Sequence, residues 1–189
     1  MIDTFSTNSL KILDKSLDEF INKYIHNLSI YKKDERAALG SQYHALICQY
    51  LRGYNISKMK LELKNPEIFD KFLKTIEKDN FIKTEYSFLI KDELNNKPYY
   101  LTGRYDAVYK ENDNYIIYDW KTLNIPKNAE DDLQTIVYLY TASKVFNTEN
   151  LKMRYISIEK GEYKDIIFKD GANYKKIIDE IVGKYYNSL

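Results

Sequence analysis

A chain of 189 residues, 44% hydrophobic and 30% charged, fits one ordinary domain of mixed structure and excludes a disordered or fibrous polypeptide. Lys and Arg total 29 against 28 Asp and Glu. A net charge of +1 excludes a bulk nucleic-acid coater, but not an enzyme whose basic track and acidic cluster cancel in the sum. The single cysteine, Cys48, excludes a disulfide framework and any cysteine-held zinc or iron–sulfur centre. No apolar run approaches the ~18 residues of a membrane span, and the N-terminus lacks the basic-then-apolar layout of a secretory signal. An intracellular protein is therefore expected, with no membrane partner.

In chain order, Leu10, Leu13, Leu17, Phe20, Ile21 and Tyr24 recur at helical spacing and predict a helix over 8–28. A second helix is predicted over 34–52, with Asp34 as its cap, Ala38, Leu39, Tyr43, Ile47 and Leu51 on its apolar face, and Gly53 just past its end. Asn65-Pro66 signals the start of a third, running to about Lys78. The period then changes. Strands are predicted over 82–90, 99–109 and 115–121, joined by turns at Asn95-Asn96-Lys97-Pro98 and Glu111-Asn112-Asp113-Asn114. A helix over 131–146, strands over 151–159 and 163–168, and a closing helix over 171–186 complete the chain.

This order suits an α/β fold, a mixed central sheet flanked by helices, with the helix after the third strand and the last helix each able to cover a face. A helical segment over 1–80 precedes a sheet-containing core over 81–189. There is neither an internal repeat nor a linker long enough to separate domains, so 1–189 is read as one domain.

The stretch with chemistry is Gly103-Arg104-Tyr105-Asp106 followed by Tyr118-Asp119-Trp120-Lys121-Thr122. Asp119 and Lys121 are two apart in a strand and leave from the same face, whereas Trp120 points away into packing. If the turn at Asn112-Asp113 closes symmetrically, Asp106 lies nearly opposite Asp119, with Cβ atoms about 4.5–5.5 Å apart. Two carboxylates so close repel unless a cation joins them. Mg²⁺ or Mn²⁺ takes hard oxygen ligands and offers Lewis-acid charge to a phosphodiester, and an ammonium alongside stabilises developing negative charge. Asp-x-Lys alone is common on surface hairpins. Here the apolar Tyr115-Ile116-Ile117-Tyr118 leads straight into it, which a solvated hairpin does not require.

These residues resemble the PD-(D/E)xK nuclease superfamily, and most closely its RecB-like exonuclease branch. The pattern comprises Gly40-Ser41-Gln42-Tyr43-His44, Glu85, Gly103-Arg104-Tyr105-Asp106, Asp119-Trp120-Lys121, and Gln134 with Tyr138. The resemblance implies a restriction-endonuclease-like core. It implies metal ligation by His44, Asp106, Asp119 and the Trp120 carbonyl, with Lys121 catalytic, Gln134 and Tyr138 lining the site, and Glu85 as an accessory acid. It further implies a Mg²⁺- or Mn²⁺-dependent deoxyribonuclease acting on DNA ends in replication, repair or phage DNA metabolism. A structure-specific or single-strand endonuclease, RNA as substrate, and a non-catalytic nucleic-acid-binding module are the alternatives. Iron–sulfur relatives in that branch carry cysteines for the cluster; with Cys48 alone, none is expected. A homo-oligomer remains open.

Several residues carry two readings. Gly103 either eases the strand or clears space for a DNA backbone, and Arg104 either reaches a phosphate or pairs with a surface carboxylate. By alternation Arg104 need not face the metal at all. Cys48 reads as packing. The 19 tyrosines are either compositional drift or include base-stacking platforms. The lysine-rich C-terminal third (Lys152, Arg154, Lys160, Lys164, Lys169, Lys175, Lys176) is either a solvated face or a phosphate track.

Overall fold

A computed structural model describes residues 2–28 and 35–189, with side chains in the α3 helix described from Ala38. The elements are β1 (Thr4–Ser6), α1 (Thr7–Lys15), α2 (Leu17–Tyr24), α3 (Glu35–Leu51), a 3₁₀ turn (Met59–Glu62), α4 (Pro66–Leu73), β2 (Phe81–Leu94), β3 (Lys97–Glu111), β4 (Asn114–Lys121), α5 (Leu133–Phe146), β5 (Leu151–Ser157), β6 (Tyr163–Ile167) and α6 (Gly171–Tyr186). The expected α/β architecture, a mixed sheet flanked by helices behind a helical N-terminal region, is what forms.

The differences have local causes. The helix expected over 8–28 breaks at Ser16, which is extended (φ −159°) and accepts the amide of Glu19, ending α1 and capping α2. A serine hydroxyl competes with the helical ladder in this way, while the apolar spacing runs on through the break. α4 stops at Leu73 rather than near Lys78, and Asn65 makes no side-chain cap bond. Asp34, the expected cap of α3, lies outside the described residues. Gly53 does follow α3 in the left-handed region (φ +84°), as a C′ glycine should. The turn after β2 is tighter than expected. Leu94 pairs with Lys97, and Asn95 and Asn96 both take positive φ, as a two-residue hairpin turn with matched twist requires.

β2 pairs antiparallel with β3 from Phe81↔Tyr109 to Leu94↔Lys97, filling one edge of β3. β1, a strand too short to be read from the sequence, pairs parallel with Tyr100–Thr102, and β4 pairs antiparallel with Ala107–Glu111. Both must follow one another along the other edge of β3. Between them Gly103–Asp106 is left without a neighbouring strand, and the sheet opens into a notch. β4 continues into parallel β5, and β5 into antiparallel β6.

Two apolar layers sandwich the sheet. On one face α1, α2, α5 and α6 pack with Phe5, Leu10, Phe20, Tyr105, Ile117, Leu139 and Ile178. On the other, α3 and α4 cover Ala107, Tyr109, Ile116, Tyr118 and Trp120 with Tyr43, Ile47, Phe69 and Phe72. Thus α5 and α6 share one face, and the second is covered by α3 and α4, not by one late helix each. Each fully buried large side chain stabilises by about 1.5–3 kcal/mol, and most of the tyrosine surplus is spent here, with Tyr43, Tyr99, Tyr105, Tyr109, Tyr155 and Tyr185 among the most buried side chains.

The two layers reveal a slip. Tyr99, Leu101 and Tyr105 of β3 face the α5 side, yet Ala107 and Tyr109 face the α3 side. Odd-numbered residues change face across Asp106. In β2, Tyr86 packs on the α5 side, whereas Thr84 contacts Cys48 and Arg52 of the α3 region. The slip there coincides with Glu85, whose φ of +53° is left-handed in the middle of a strand. A non-glycine residue held there is strained by about 1–3 kcal/mol, and such strain clusters at functional sites.

Candidate active site

The notch is where the acidic residues gather. The β3–β4 register ends at Ala107↔Tyr118, and the next step brings Asp106 level with Asp119, as the hairpin symmetry predicts. The Asp106 carboxylate stands in for the missing strand partner, its Oδ2 accepting the Trp120 N–H at 2.8 Å. Trp120 itself points into the α3–α4 core, edge-on to Phe72.

His44 reaches the notch from α3. Its Nδ1 lies 3.2 Å from Asp106 Oδ1 and its Nε2 2.9 Å from the Trp120 carbonyl oxygen. Both partners are acceptors, so an imidazolium donating from both nitrogens suits the position. Burial opposes that charge, but the hydrogen bond and charge of Asp106, with the Trp120 carbonyl and Asp119, outweigh it and raise His44 above the ordinary histidine value.

Asp119 and Lys121 leave the other face of β4 and meet α5, whose first turn is set by Asp132 capping the Gln134 N–H at 2.8 Å. Gln134 Nε2 donates to Asp119 Oδ1 at 2.5 Å, and its Oε1 accepts from Lys121 Nζ at 2.9 Å. The glutamine holds anion and cation with one amide, so its flip state is fixed by its neighbours. Lys121 Nζ also lies 2.7 Å from Asp119 Oδ2, though off the direction of a hydrogen bond, and Oδ2 is otherwise buried without a donor. Burial, and then the charge of Asp106, push the Asp119 carboxyl up to about 6 even with Lys121 beside it. Tyr138, one turn beyond Gln134, donates to the Arg104 carbonyl at 3.0 Å, a backbone oxygen that the notch leaves exposed. Burial and the charges of Asp119 and Asp106 keep this phenol protonated.

Glu85 is more central than an accessory residue. His44, Glu85 and Asp106 offer ligand atoms all within 4.8 Å of one another. Nothing in Thr84-Glu85-Tyr86 signals this, because the residue reaches the cluster through the strand slip. Arg104 follows it: its Nη1 lies 2.6 Å from Glu85 Oε2, so it faces the acidic cluster that alternation would have turned it from. Both line a cleft of about 610 Å³ with Gly40, His44, Cys48 and Arg52. Arg52, which sequence reasoning did not single out, reaches Thr84 Oγ1 from the end of α3 at 3.1 Å. Cys48 is half-buried and contacts the same hydroxyl.

Gly103 has a packing reason of its own. A Cβ there would lie 2.6 Å from the Phe88 ring, so its bareness accommodates the aromatic stack of Phe88 on Tyr105. Of the C-terminal lysines, Lys152 is paired with Glu111 and Asp165, Lys169 with Glu130, and Lys175 with Asp92 and Asp179, while Arg154 grips Asp165. Those four are engaged in ion pairs.

The donors suit a divalent cation. An imidazole and two carboxylates within one another's reach, with a backbone carbonyl nearby, offer the nitrogen and hard oxygen donors that such a cation takes.

The family model of the PD-(D/E)XK nuclease superfamily matches residues 58–183, about two thirds of the chain. The chain belongs to this superfamily. The match contains Glu85, Asp106, Asp119, Lys121, Gln134 and Tyr138, whereas His44 precedes it. No curated protein matches. Twenty-two solved chains do, among them the crystal structure of SSO0001, at 18% identity over 96% of this chain and 76% of that one, with a TM-score of 0.48. Membership makes phosphodiester cleavage the general activity to consider and nucleic acid the general partner. Among the described residues no helix is long and apolar enough to cross a membrane.

Proposed function

We infer that this PD-(D/E)XK protein is a Mg²⁺- or Mn²⁺-dependent deoxyribonuclease of the RecB-like kind, working at DNA ends as one nuclease domain over 1–189. The observation that supports it is the cluster of His44, Glu85 and Asp106, whose ligand atoms lie within 4.8 Å of one another beside the Trp120 carbonyl, with the Asp119–Lys121 pair on the neighbouring strand and outside that cluster. His44, Glu85 and Asp106, with Asp119 and the Trp120 carbonyl nearby, would hold the cation. When bound, it supplies Lewis-acid charge to the phosphodiester and to the attacking water.

The chain's own groups do the rest. Lys121, steadied by Asp119 and Gln134, places a fixed positive charge beside the acidic cluster, where it orients water and offsets the negative charge that builds on phosphorus oxygens. Gln134 keeps Asp119 and Lys121 in register and so acts on both. Tyr138 pins the free backbone at Arg104, holding the notch open to a strand. Arg104 and Arg52, on the cleft wall, supply the positive charge that a phosphate backbone needs over an otherwise acidic floor. Glu85 and the two guanidiniums that line this cleft exclude a neutral apolar ligand from it.

The test is cleavage of linear, circular, single-stranded and branched DNA with and without Mn²⁺, beside Asp106→Ala, Asp119→Ala and Lys121→Ala. Cation-dependent loss of linear DNA, absent from all three variants, is expected. Cleavage that ignores the cation, or survives in all three, overturns the reading. Equal attack on closed circles shifts it to an endonuclease.

A further inference from the structure

Glu85 is held twice over. It sits within ligand distance of His44 and Asp106, and at the same time its Oε2 is clasped by Arg104 Nη1 at 2.6 Å. Its side chain is about three-quarters covered, while that of Arg104 is 62% exposed and lies on the wall of the cleft. The carboxylate thus belongs to the floor of the site and the guanidinium to its opening.

A guanidinium and a divalent cation compete for such a carboxylate. Each is positive, and a cation entering the His44–Glu85–Asp106 set meets Arg104 as a like charge beside one of its ligands. A nucleic-acid phosphate is the natural rival partner for Arg104, because its planar fork pairs with phosphate oxygens as well as with carboxylate. Only the exposed member of the pair has to move. Glu85, three-quarters covered and already within reach of His44 and Asp106, is in place without moving.

We propose that the Arg104–Glu85 pair is a phosphate-released latch: nucleic acid draws Arg104 off Glu85, and the freed carboxylate completes the cation site. The proposal rests on the nuclease reading above and adds to it that Arg104 couples substrate to cation. Arg104 is a positioning residue here, acting through Glu85. By linkage the coupling is reciprocal: nucleic acid tightens the cation to the same degree as the cation tightens nucleic acid.

The experiment is calorimetric titration of the full chain with Mn²⁺, alone and in the presence of phosphorothioate dodecathymidylate, which resists hydrolysis. Wild type, Arg104→Gln, Arg104→Lys and Glu85→Gln are compared, with thermal melting to confirm that each folds. In the absence of oligonucleotide, Arg104→Gln is expected to bind Mn²⁺ about 3- to 10-fold more tightly than wild type, and Glu85→Gln more weakly. The oligonucleotide should tighten Mn²⁺ in wild type, and by a clearly smaller factor in Arg104→Gln. Arg104→Lys, which keeps the charge, should fall between the two. A merely structural arginine would give weaker Mn²⁺ binding on its removal, or none of this pattern. Mn²⁺ affinity that is unchanged or reduced in Arg104→Gln overturns the latch while leaving the cation site standing. Absence of Mn²⁺ binding in wild type and Arg104→Gln alike overturns the nuclease reading, and the latch with it.

Discussion

Two buried polar clusters hang on the same sheet, and they are built to opposite ends. At one, Lys175 of α6 bridges Asp92 and Asp179 at 2.9 Å each, Tyr99 donates to Asp179, and Tyr140 donates to Asp92. At the other, Asp106, Asp119 and Glu85 gather with His44, Lys121 and Arg104. Both hold carboxylates out of water. Burial works against Asp92, but bonds from Tyr140 and Lys175 more than compensate and hold it below the usual carboxylate range. Burial works against Asp119 too, and Asp106 adds to it, so its carboxyl is pushed up to about 6. The difference lies in what the partners achieve. The first cluster brings hydroxyl and ammonium donors from α5, α6 and β3 straight onto its carboxylates, and it fastens the fold. The second has cations of its own in His44, Lys121 and Arg104, yet its most buried carboxyl, Asp119, is still pushed up, a perturbation that clusters at functional sites.

Cleavage separates the two clusters most widely. Asp106→Asn or Lys121→Ala is expected to lower kcat/KM for DNA by about 10²- to 10³-fold or more, whereas Asp92→Asn leaves it within a few-fold at a temperature where both proteins are folded. A matched loss in Asp92→Asn would erase the distinction. Stability should show the reverse order, with opposite signs. Asp92→Asn leaves Lys175 and Tyr140 short of a charged partner and should cost about 2–3 kcal/mol, a Tm lower by about 5–10 °C. Asp119→Asn relieves a buried like-charge contact and should raise the Tm of the cation-free protein at pH 7.5 by a few degrees, a gain on the order of 1–2 kcal/mol. Melting curves in chelator decide, and destabilisation by Asp119→Asn would mean that its ion pair with Lys121 outweighs the repulsion.

The sequence made the second cluster partly legible, because hairpin parity is local. Asp106, Asp119 and Lys121 needed only a turn at Asn112-Asp113 to fall on neighbouring strands, and the Gln134–Tyr138 spacing needed only one helix face. Glu85 and Arg104 were not legible in their true roles, since both depend on a mid-strand slip that alternation arguments assume away. The assignment of helices to faces was hidden as well. Apolar periodicity says that α5 and α6 each have a face to bury, not that they bury it on the same side. β1 escaped because three residues, Thr4-Phe5-Ser6, carry too short a pattern, yet it is β1 that closes the far end of the notch.

Packing behind the notch gives a smaller test. Gly103→Ala drives a Cβ to 2.6 Å from the Phe88 ring, which is stacked on Tyr105 at 4.7 Å. Overpacking of this kind costs about 1–3 kcal/mol. If the clash is the whole reason for glycine there, Phe88→Leu added to Gly103→Ala should recover much of the loss in thermal melting. If glycine is there to admit a DNA backbone, the double variant recovers stability but not DNA binding, measured by fluorescence anisotropy.

The gentlest effect joins the two clusters in one pH profile. Asp119 titrates near 6 folded against about 3.8 in its ordinary state, so folding favours its protonated form. That contribution is complete below about pH 4 and is lost as pH rises through about 6. His44, raised above 6.5, adds a contribution of the same sign, present below 6.5 and lost as pH climbs through its higher folded value. Asp92 runs the other way. Its depressed value gives stability that is present above 3.8 and lost as pH falls through the folded value. In chelator the Tm should therefore peak near pH 4, fall as pH rises toward 6 and decline further toward pH 8, and Asp119→Asn should flatten only the alkaline side of that peak. Mn²⁺ requires these ligands deprotonated, so the Tm increment it gives should grow over the same interval in which the cation-free protein weakens. An increment that shrinks with rising pH would place the cation somewhere other than the notch.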